Sequence, residues 1–550
     1  MPGLRDKLPR GRAQRDAREP PVAPGATGIP RPRLALAIVV AVVIVLVVVL
    51  AGSGGGADTP PATGAAAVVP GDTLAYLHLS TDQSRSAVTR ALALASRFPG
   101  YPALRSELLS QLGATGATVR TRFKTGVRPW LGKEVALALF DTASSPAGSL
   151  LVVGVSDRRA AQRFVAGLPS DGSSSYQGTT ITGHPGAGDT AFVGRYLVVG
   201  HSANIRAAID VAAGRSPSLS ADATYRRASA NEPAGRALDA YASATGMRRL
   251  VDSGHGLLGI VGALVDQPAL QGVTVAATPV SGGVRIRVHS VLDSGLAPAS
   301  SGSFIASFAS SVPASAALYF DGASLNRVLP RVLGTIGIGA QIPKLLSKLG
   351  RALTAEGVNV QQSIVTLFGR ESAVVITSHG STPVVTIIAH PRDPAATRTV
   401  FAELEGPLER LFAPAGTQAG QAPVFNQVAM GRVAAHQLVL APGLQFDYAV
   451  TGSELVLSTS LQGIAAVVRH PRSILDQPAY RVTLGNHPSR VTSLLFLDLN
   501  QLLRLNEQIG LITGPRFRAL EPDLERVHAI GLDSTSGEAE STAELFLQIP

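Results

Sequence analysis

From residue 68 onward the chain states one plan twice, and a duplicated plan folds into two bodies of one kind. VVPGDTLAYLHL (68–79) and TDQSRSAVTRALALA (81–95) return as SVPASAALYFDG (311–322) and ASLNRVLPRVL (323–333), with Val69, Pro70 and Tyr76 in line with Val312, Pro313 and Tyr319. VRPWLGKEVALALF (127–140) returns as VTLFGRESAVVI (365–376), sharing Gly132-Lys133-Glu134 with Gly369-Arg370-Glu371. SLLVVGVSDRRAAQRFVAGL (149–168) returns as PVVTIIAHPRDPAATRTVFAEL (383–404), and RYLVVGHSANIRAAIDVAAG (195–214) as SELVLSTSLQGIAAVVRHP (453–471). SLSADATYRRA (218–228) then matches SILDQPAYRVT (473–483), aligning Tyr225-Arg226 with Tyr480-Arg481. GGVRIRVHSVL (282–292) and STAELFLQI (541–549) close the two copies.

Each copy reads strand–helix, strand, strand–helix, strand–helix, strand. Helices follow only some strands, and short polar links between the others are typical of hairpins. The expected fold class is α+β: two duplicated modules, each a mainly antiparallel sheet with helices on one face. The modules span 68–292 and 305–550, with a Gly/Ser/Pro linker at 293–304 and a loose loop at 413–423.

Ahead of the modules stands LALAIVVAVVIVLVVVLA, Leu34 to Ala51, without one polar side chain. As a helix it measures roughly 27 Å, close to the hydrocarbon thickness of a bilayer. A helix apolar all round has no face for water, so the segment reads as a single transmembrane helix. Residues 1–33 hold eight basic and three acidic side chains, against 40 and 35 in the rest of the chain. This Pro- and Gly-rich tail reads as a disordered basic cytoplasmic segment, with Arg31 and Arg33 at the helix entrance. After a flexible linker at 52–67, the bulk of the chain is expected outside the cytoplasm, held to the cell membrane by one pass. The apolar run exceeds the core of a cleaved signal peptide.

The chain carries a formal charge of +10, half of it in the tail, and aromatic residues make up only 5%. Neither a basic surface nor a stacking platform for nucleic acid follows. With no cysteine, disulfides, thiolate catalysis and Cys-held metal sites are excluded.

Catalytic patterns are weak. His201-Ser202 follows an apolar strand and precedes a helix, as a nucleophile elbow does, but GHSAN lacks the closing glycine of G-x-S-x-G. Thr459-Ser460 occupies the matching place in the second copy, so a serine N-cap is the expected role. GVRPWLGKE (126–134) has Glu134 where a phosphate loop needs Ser or Thr, and is read as a turn. GHPGAG (183–188) and GTIGIG (334–339) are read as loops. The eleven histidines show no metal spacing and are expected at surface or capping positions. Glu403/Glu405 and Glu538/Glu540 are expected on helix or strand surfaces. IPKLLSKLGRAL (342–353) places Lys344, Lys348 and Arg351 on one helical face and Leu345, Leu346, Leu349 and Leu353 on another. A membrane or ligand contact there would use Lys344, Leu345, Lys348, Leu349 and Arg351.

The Val69-Pro70 and Tyr76 opening, the Trp130-Leu131-Gly132-Lys133-Glu134 turn and Tyr225-Arg226 resemble the domain-of-unknown-function family 3352, over about 65–550. The resemblance implies a single-pass bacterial envelope protein, often actinobacterial, and brings neither an activity nor site residues. The reading that follows is a non-enzymatic binding or scaffolding module of the envelope, without cofactor. Its partner would be an envelope protein, a lipid or a cell-wall component, and not nucleic acid. Two alternatives stay open: a lipid carrier with an apolar groove over 325–353, and a serine hydrolase using Ser202 and a distant histidine.

Overall fold

The computed structural model describes residues 59–101, 126–140, 148–185, 188–252, 269–296, 302–323, 371–380, 382–412, 423–441, 444–469, 472–509 and 521–550. The expected transmembrane segment 34–51, the 324–370 stretch with Lys344, Leu345, Lys348, Leu349 and Arg351, and GTIGIG all lie outside these residues. Among the described residues no helix is long and apolar enough to cross a membrane.

Among the described residues the first copy contributes ten strands. They are β1 (Ala75–Ser80), β2 (Leu131–Leu139), β3 (Ser149–Val155), β4 (Gly172–Tyr176), β5 (Thr179–His184), β6 (Gly188–Val193), β7 (Tyr196–Gly200), β8 (Leu238–Ser243), β9 (Leu270–Val280) and β10 (Gly283–Leu292). The second contributes β11 (Leu318–Ala323), β12 (Glu371–His379), β13 (Thr382–Ala389), β14 (Phe425–Met430), β15 (Val433–Ala441), β16 (Leu444–Val450), β17 (Leu455–Ser458), β18 (Ser493–Asp498), β19 (Ala529–Ser536) and β20 (Glu540–Gln548). Every pairing is antiparallel. The first copy runs β4-β5-β6-β7-β3-β2-β1-β8-β9-β10 across the sheet. The second runs β14-β15-β16-β17-β13-β12-β11-β18-β19-β20, the same order strand for strand.

The motifs shared by the copies are the joints of this plan. Pro70 bridges Ser218 and Pro313 bridges Ser473. Leu219 N donates to Val69 O, and Ile474 N to Val312 O, at 2.8 Å each. Tyr76, Tyr225 and Tyr241 pack edge to face at 6.1 and 5.2 Å. Tyr319, Tyr480 and Phe496 repeat the cluster, Tyr319 tilted on Tyr480 at 6.3 Å and Tyr480 edge to face with Phe496 at 5.5 Å. Gly132 is fixed by close approach: a side chain there would meet the Gly154 carbonyl carbon at 2.6 Å.

Two expectations change. The helices of the first copy cover both faces of the sheet, not one. Helices α3 (Ser202–Ala212) and α4 (Ala223–Ser229) lie over the face bearing Tyr76, Ala136, Ala138, Leu150 and Val198. Helix α2 (Arg158–Ala166) lies over the opposite face, on Val135, Val153 and Leu197. The cause is legible in VALAL and LLVV. Those runs are apolar at consecutive positions, and β2 is buried continuously from Glu134 to Ala138, so both faces need cover. The region between α2 and β7, for which the sequence gives no strand, holds three, β4 to β6. His184 and Gly188 close the β5–β6 hairpin.

The copies join by β10 pairing with β20, in register from Gly283↔Gln548 to Val291↔Glu540. Counted from the turns of their own hairpins, Arg287 on β10 and Glu544 on β20 occupy equivalent positions. They also face each other directly. The seam is therefore a pseudo-twofold axis, and the residue on it has diverged to opposite charges. Arg287 Nε donates to Glu544 Oε1 at 2.6 Å.

Candidate functional site

Where the sequence hinted at a nucleophile, the structure shows a cap. Ser202 is the first residue of α3, and His201 before it is the N-cap, its Nδ1 accepting from Ala203 N at 3.3 Å. The expected serine cap is thus a histidine cap in this copy, because His201 holds the extended conformation that turns its ring onto the helix end. In the second copy Ser460 Oγ does accept from Gln462 N, at 3.2 Å.

The turn at 126–134 does more than turn. Trp130 packs on Phe164 with ring centroids 5.5 Å apart, and Lys133 pairs with Asp82 at 3.2 Å. The register of β2 against β3 shifts between Leu131 and Val135, and Glu134 sits in that irregularity with its carboxylate buried. Glu134 Oε1 accepts from Tyr196 OH at 2.8 Å and Arg195 Nη2 at 3.0 Å, and Oε2 accepts from Ala65 N at 3.0 Å.

Next to Glu134 lies His78 of β1, buried and not on the surface as expected. Its Nε2 is 3.6 Å from Glu134 Oε2 and its Nδ1 is 2.8 Å from Asp239 Oδ2 of β8. Arg236 Nε donates to the same Asp239 oxygen, and Arg236 Nη2 reaches Glu232 Oε2, both at 2.9 Å. A buried row of alternating charge crosses β2, β1 and β8. Burial alone would push the His78 imidazole down, but Asp239 and Glu134 overcome it and hold its pKa at about 9. Asp239 also works against burial: His78 and Arg236 keep its carboxyl below the usual range. Glu232, at the end of the row, is pushed up to about 8 by burial and by the Asp239 charge, so it is protonated at neutral pH.

The second copy keeps the position and changes the chemistry. Asp321 stands where His78 stands, with Leu494 opposite it where the first copy has Asp239, and Glu371 where it has Glu134. Burial and the Glu371 charge push Asp321 up to about 9. Glu371 accepts from Ser307 N at 2.6 Å and from Ser307 Oγ at 2.7 Å, and Ser307 Oγ is 3.0 Å from His390 Nε2. This resembles a catalytic triad in content but not in order. The carboxylate binds the serine, not the far nitrogen of the imidazole, and His390 Nδ1 faces the Ser453 carbonyl at 3.2 Å. A serine donating to a carboxylate is not handing its proton to the histidine.

Glu232 carries the charged row to a cavity of about 300 Å³ on the seam. Its walls come from both copies: Asn231, Glu232, Thr274, Arg287 and His289 from the first, Thr535, Glu540 and Thr542 from the second. His289 is buried, with Nδ1 3.0 Å from Thr542 Oγ1. Its Nε2 is shut off from solvent without a hydrogen bond, the Glu540 carboxylate standing 3.8 Å away. Thr274 Oγ1 donates to Ala228 O at 2.8 Å. Arg287 is held on both sides: Nε and Nη2 reach Glu544, and Nη1 donates to Asn231 O at 3.0 Å.

None of this was visible in local patterns. His78, His289 and Glu134 belong to no motif, and their partners come from distant strands. Glu540 is on a strand surface as expected, exposed at the rim of the cavity. Glu405 was expected there too, but accepts from His436 Nδ1 and Tyr448 OH, both at 2.6 Å. A comparison between the copies would have pointed to the seam, since Phe546 holds the place of His289. Among the described residues no group of three or more His, Asp or Glu could hold a metal ion.

The family described as "Protein of unknown function (DUF3352)" matches residues 34–549. No curated protein matches the chain. Among solved structures, crystal form I of TP0453 is similar at 13% identity over 44% of this chain and 82% of that one, with a TM-score of 0.26. Crystal form III of TP0453 is similar at 10% identity over 42% and 81%, with a TM-score of 0.25.

Proposed function

We propose, for a chain that belongs to the DUF3352 family of proteins of unknown function, a ligand-binding role in the cell envelope, without catalysis. One helix at 34–51 anchors it, the tail lies in the cytoplasm, and the two fused copies stand outside and share a single ligand site at their seam. The cavity between β9, β10, β19 and β20 carries this reading, because its polar walls come from both copies. The uneven charge on either side of the apolar segment supports the orientation.

Binding fits the cavity better than turnover. Thr542 and His289 are direct partners across the β10–β20 ladder, so the backbone amides around them belong to sheet hydrogen bonding. An acyl-transfer site needs amides free to meet an oxyanion. A reporter fused behind Pro550 tests the placement: activity outside the cytoplasm is expected, and activity only inside refutes it. Mass spectrometry of small molecules retained by the full-length protein from envelope extract tests the site. Retention by the wild type and loss in His289→Phe is the expected result. Turnover of ester, peptide or glycoside substrates would refute a non-catalytic role.

A further inference from the structure

Resting on the seam as the ligand site, we infer that its ligand is a neutral, hydroxyl-rich molecule of about monosaccharide size. Three observations define the class. The first is size: about 300 Å³ lies at the low end for ligand pockets, too little for an acyl chain or a peptide.

The second is charge. A phosphate or carboxylate ligand needs a cation to spare, and the walls offer none. Arg287 is taken up by Glu544 and Asn231, and the charge of Arg236 behind the wall is met by Asp239. A cationic ligand would need buried anions, but Glu232 keeps its proton at neutral pH and Glu540 sits at the exposed rim.

The third is hydrogen-bonding character. What remains is amphoteric: threonine hydroxyls, the Asn231 amide and a protonated carboxyl, with the His289 ring in the same wall. Groups that both donate and accept are matched by a ligand hydroxyl, which does the same.

The second copy shows what the cavity depends on. At the pseudo-equivalent place Phe546 replaces His289, and the Arg285 guanidinium lies over its ring, 5.9 Å from the centroid. Gly531 replaces Thr274, and a side chain there would meet Thr483 and Leu484 at under 3 Å, so the helix Pro478–Leu484 is packed down onto the strand. One of two symmetric places is therefore filled with apolar groups, and the other is lined with polar ones.

The test uses the full chain in detergent, titrated calorimetrically with glucose, mannose, arabinose and myo-inositol, and separately with inorganic phosphate and ethanolamine. One or more of the polyols should bind saturably. His289→Phe, which installs the second copy's residue, should abolish binding. Thr535→Val should weaken it about tenfold, the effect of one lost hydrogen bond. Circular dichroism and Trp130 fluorescence check that both variants fold, and Thr535→Val suffices if His289→Phe does not. Polyol binding with unchanged affinity in both folded variants overturns the assignment. Phosphate or ethanolamine binding that His289→Phe removes overturns the polyol class but keeps the seam as a ligand site. No polyol, phosphate or ethanolamine binding, with no retained small molecule lost in His289→Phe, overturns both.

Discussion

The buried charge row makes alkaline pH the weak side of this fold, and His78 is where the effect can be isolated. Its ring is held at about 9 against an ordinary 6.5. That gap is worth about 3 kcal/mol of folding free energy. The sign follows from the raised folded value: the contribution is complete below pH 6.5 and disappears as pH climbs through 9. Glu232 at about 8 and Asp321 at about 9 are also raised, so stability falls with rising pH through them as well. His78→Gln removes the cation between Asp239 and Glu134 and should cost about 3–5 kcal/mol near pH 6, as removing one partner of a buried pair does. Trp130 is the sole tryptophan and packs in the first copy near Glu134, so its fluorescence during urea unfolding reports on the right region. The midpoint of the wild type should drop from about pH 6 to about pH 9.5, and its lead over His78→Gln should narrow over the same range. A wild-type midpoint that stays level, or a lead that does not narrow, would refute the charge assignment.

Three further outcomes concern the seam and the first core. Arg287→Glu should lower the thermal midpoint by placing two carboxylates on the pseudo-axis, and adding Glu544→Arg should recover most of the loss. The coupling should be about 1 kcal/mol, since both side chains are partly exposed. Gly283→Ala should loosen the β10–β20 pairing, because a side chain there would meet Leu547 O at 2.0 Å. Faster amide exchange across 540–548 than in the rest of the sheet is the expected readout. Trp130→Ala should cost about 3–5 kcal/mol through the cavity left against Phe164, followed by circular dichroism since the fluorophore is gone.

The two-copy plan was readable because its marks are local. Val69-Pro70, Tyr76 and Tyr225 recur at matching places as Val312-Pro313, Tyr319 and Tyr480, and each proved to be a joint. Strands β4 and β5 have no apolar run to announce them, since GSSSY and TTITGH are small and polar. Cover on both faces is written in VALAL itself, apolar at consecutive positions where a half-covered strand would alternate. The candidate site was invisible for another reason. His78 meets Asp239 across 161 residues, and His289 meets Thr542 across 253, so no window of sequence contains either pair. Their types are unremarkable singly; only pairing register makes them neighbours.

The β10–β20 join also sets a timetable. A nascent chain completes the described strands of its first copy, yet the outer rim of β10 stays bare until Glu540–Gln548, far downstream, arrives to cover it. Bare rims invite strands from other chains. A polypeptide cut short before Glu540 would thus keep a sticky border for life, and should gather into pairs or larger clumps through β10 even where its first half is otherwise sound.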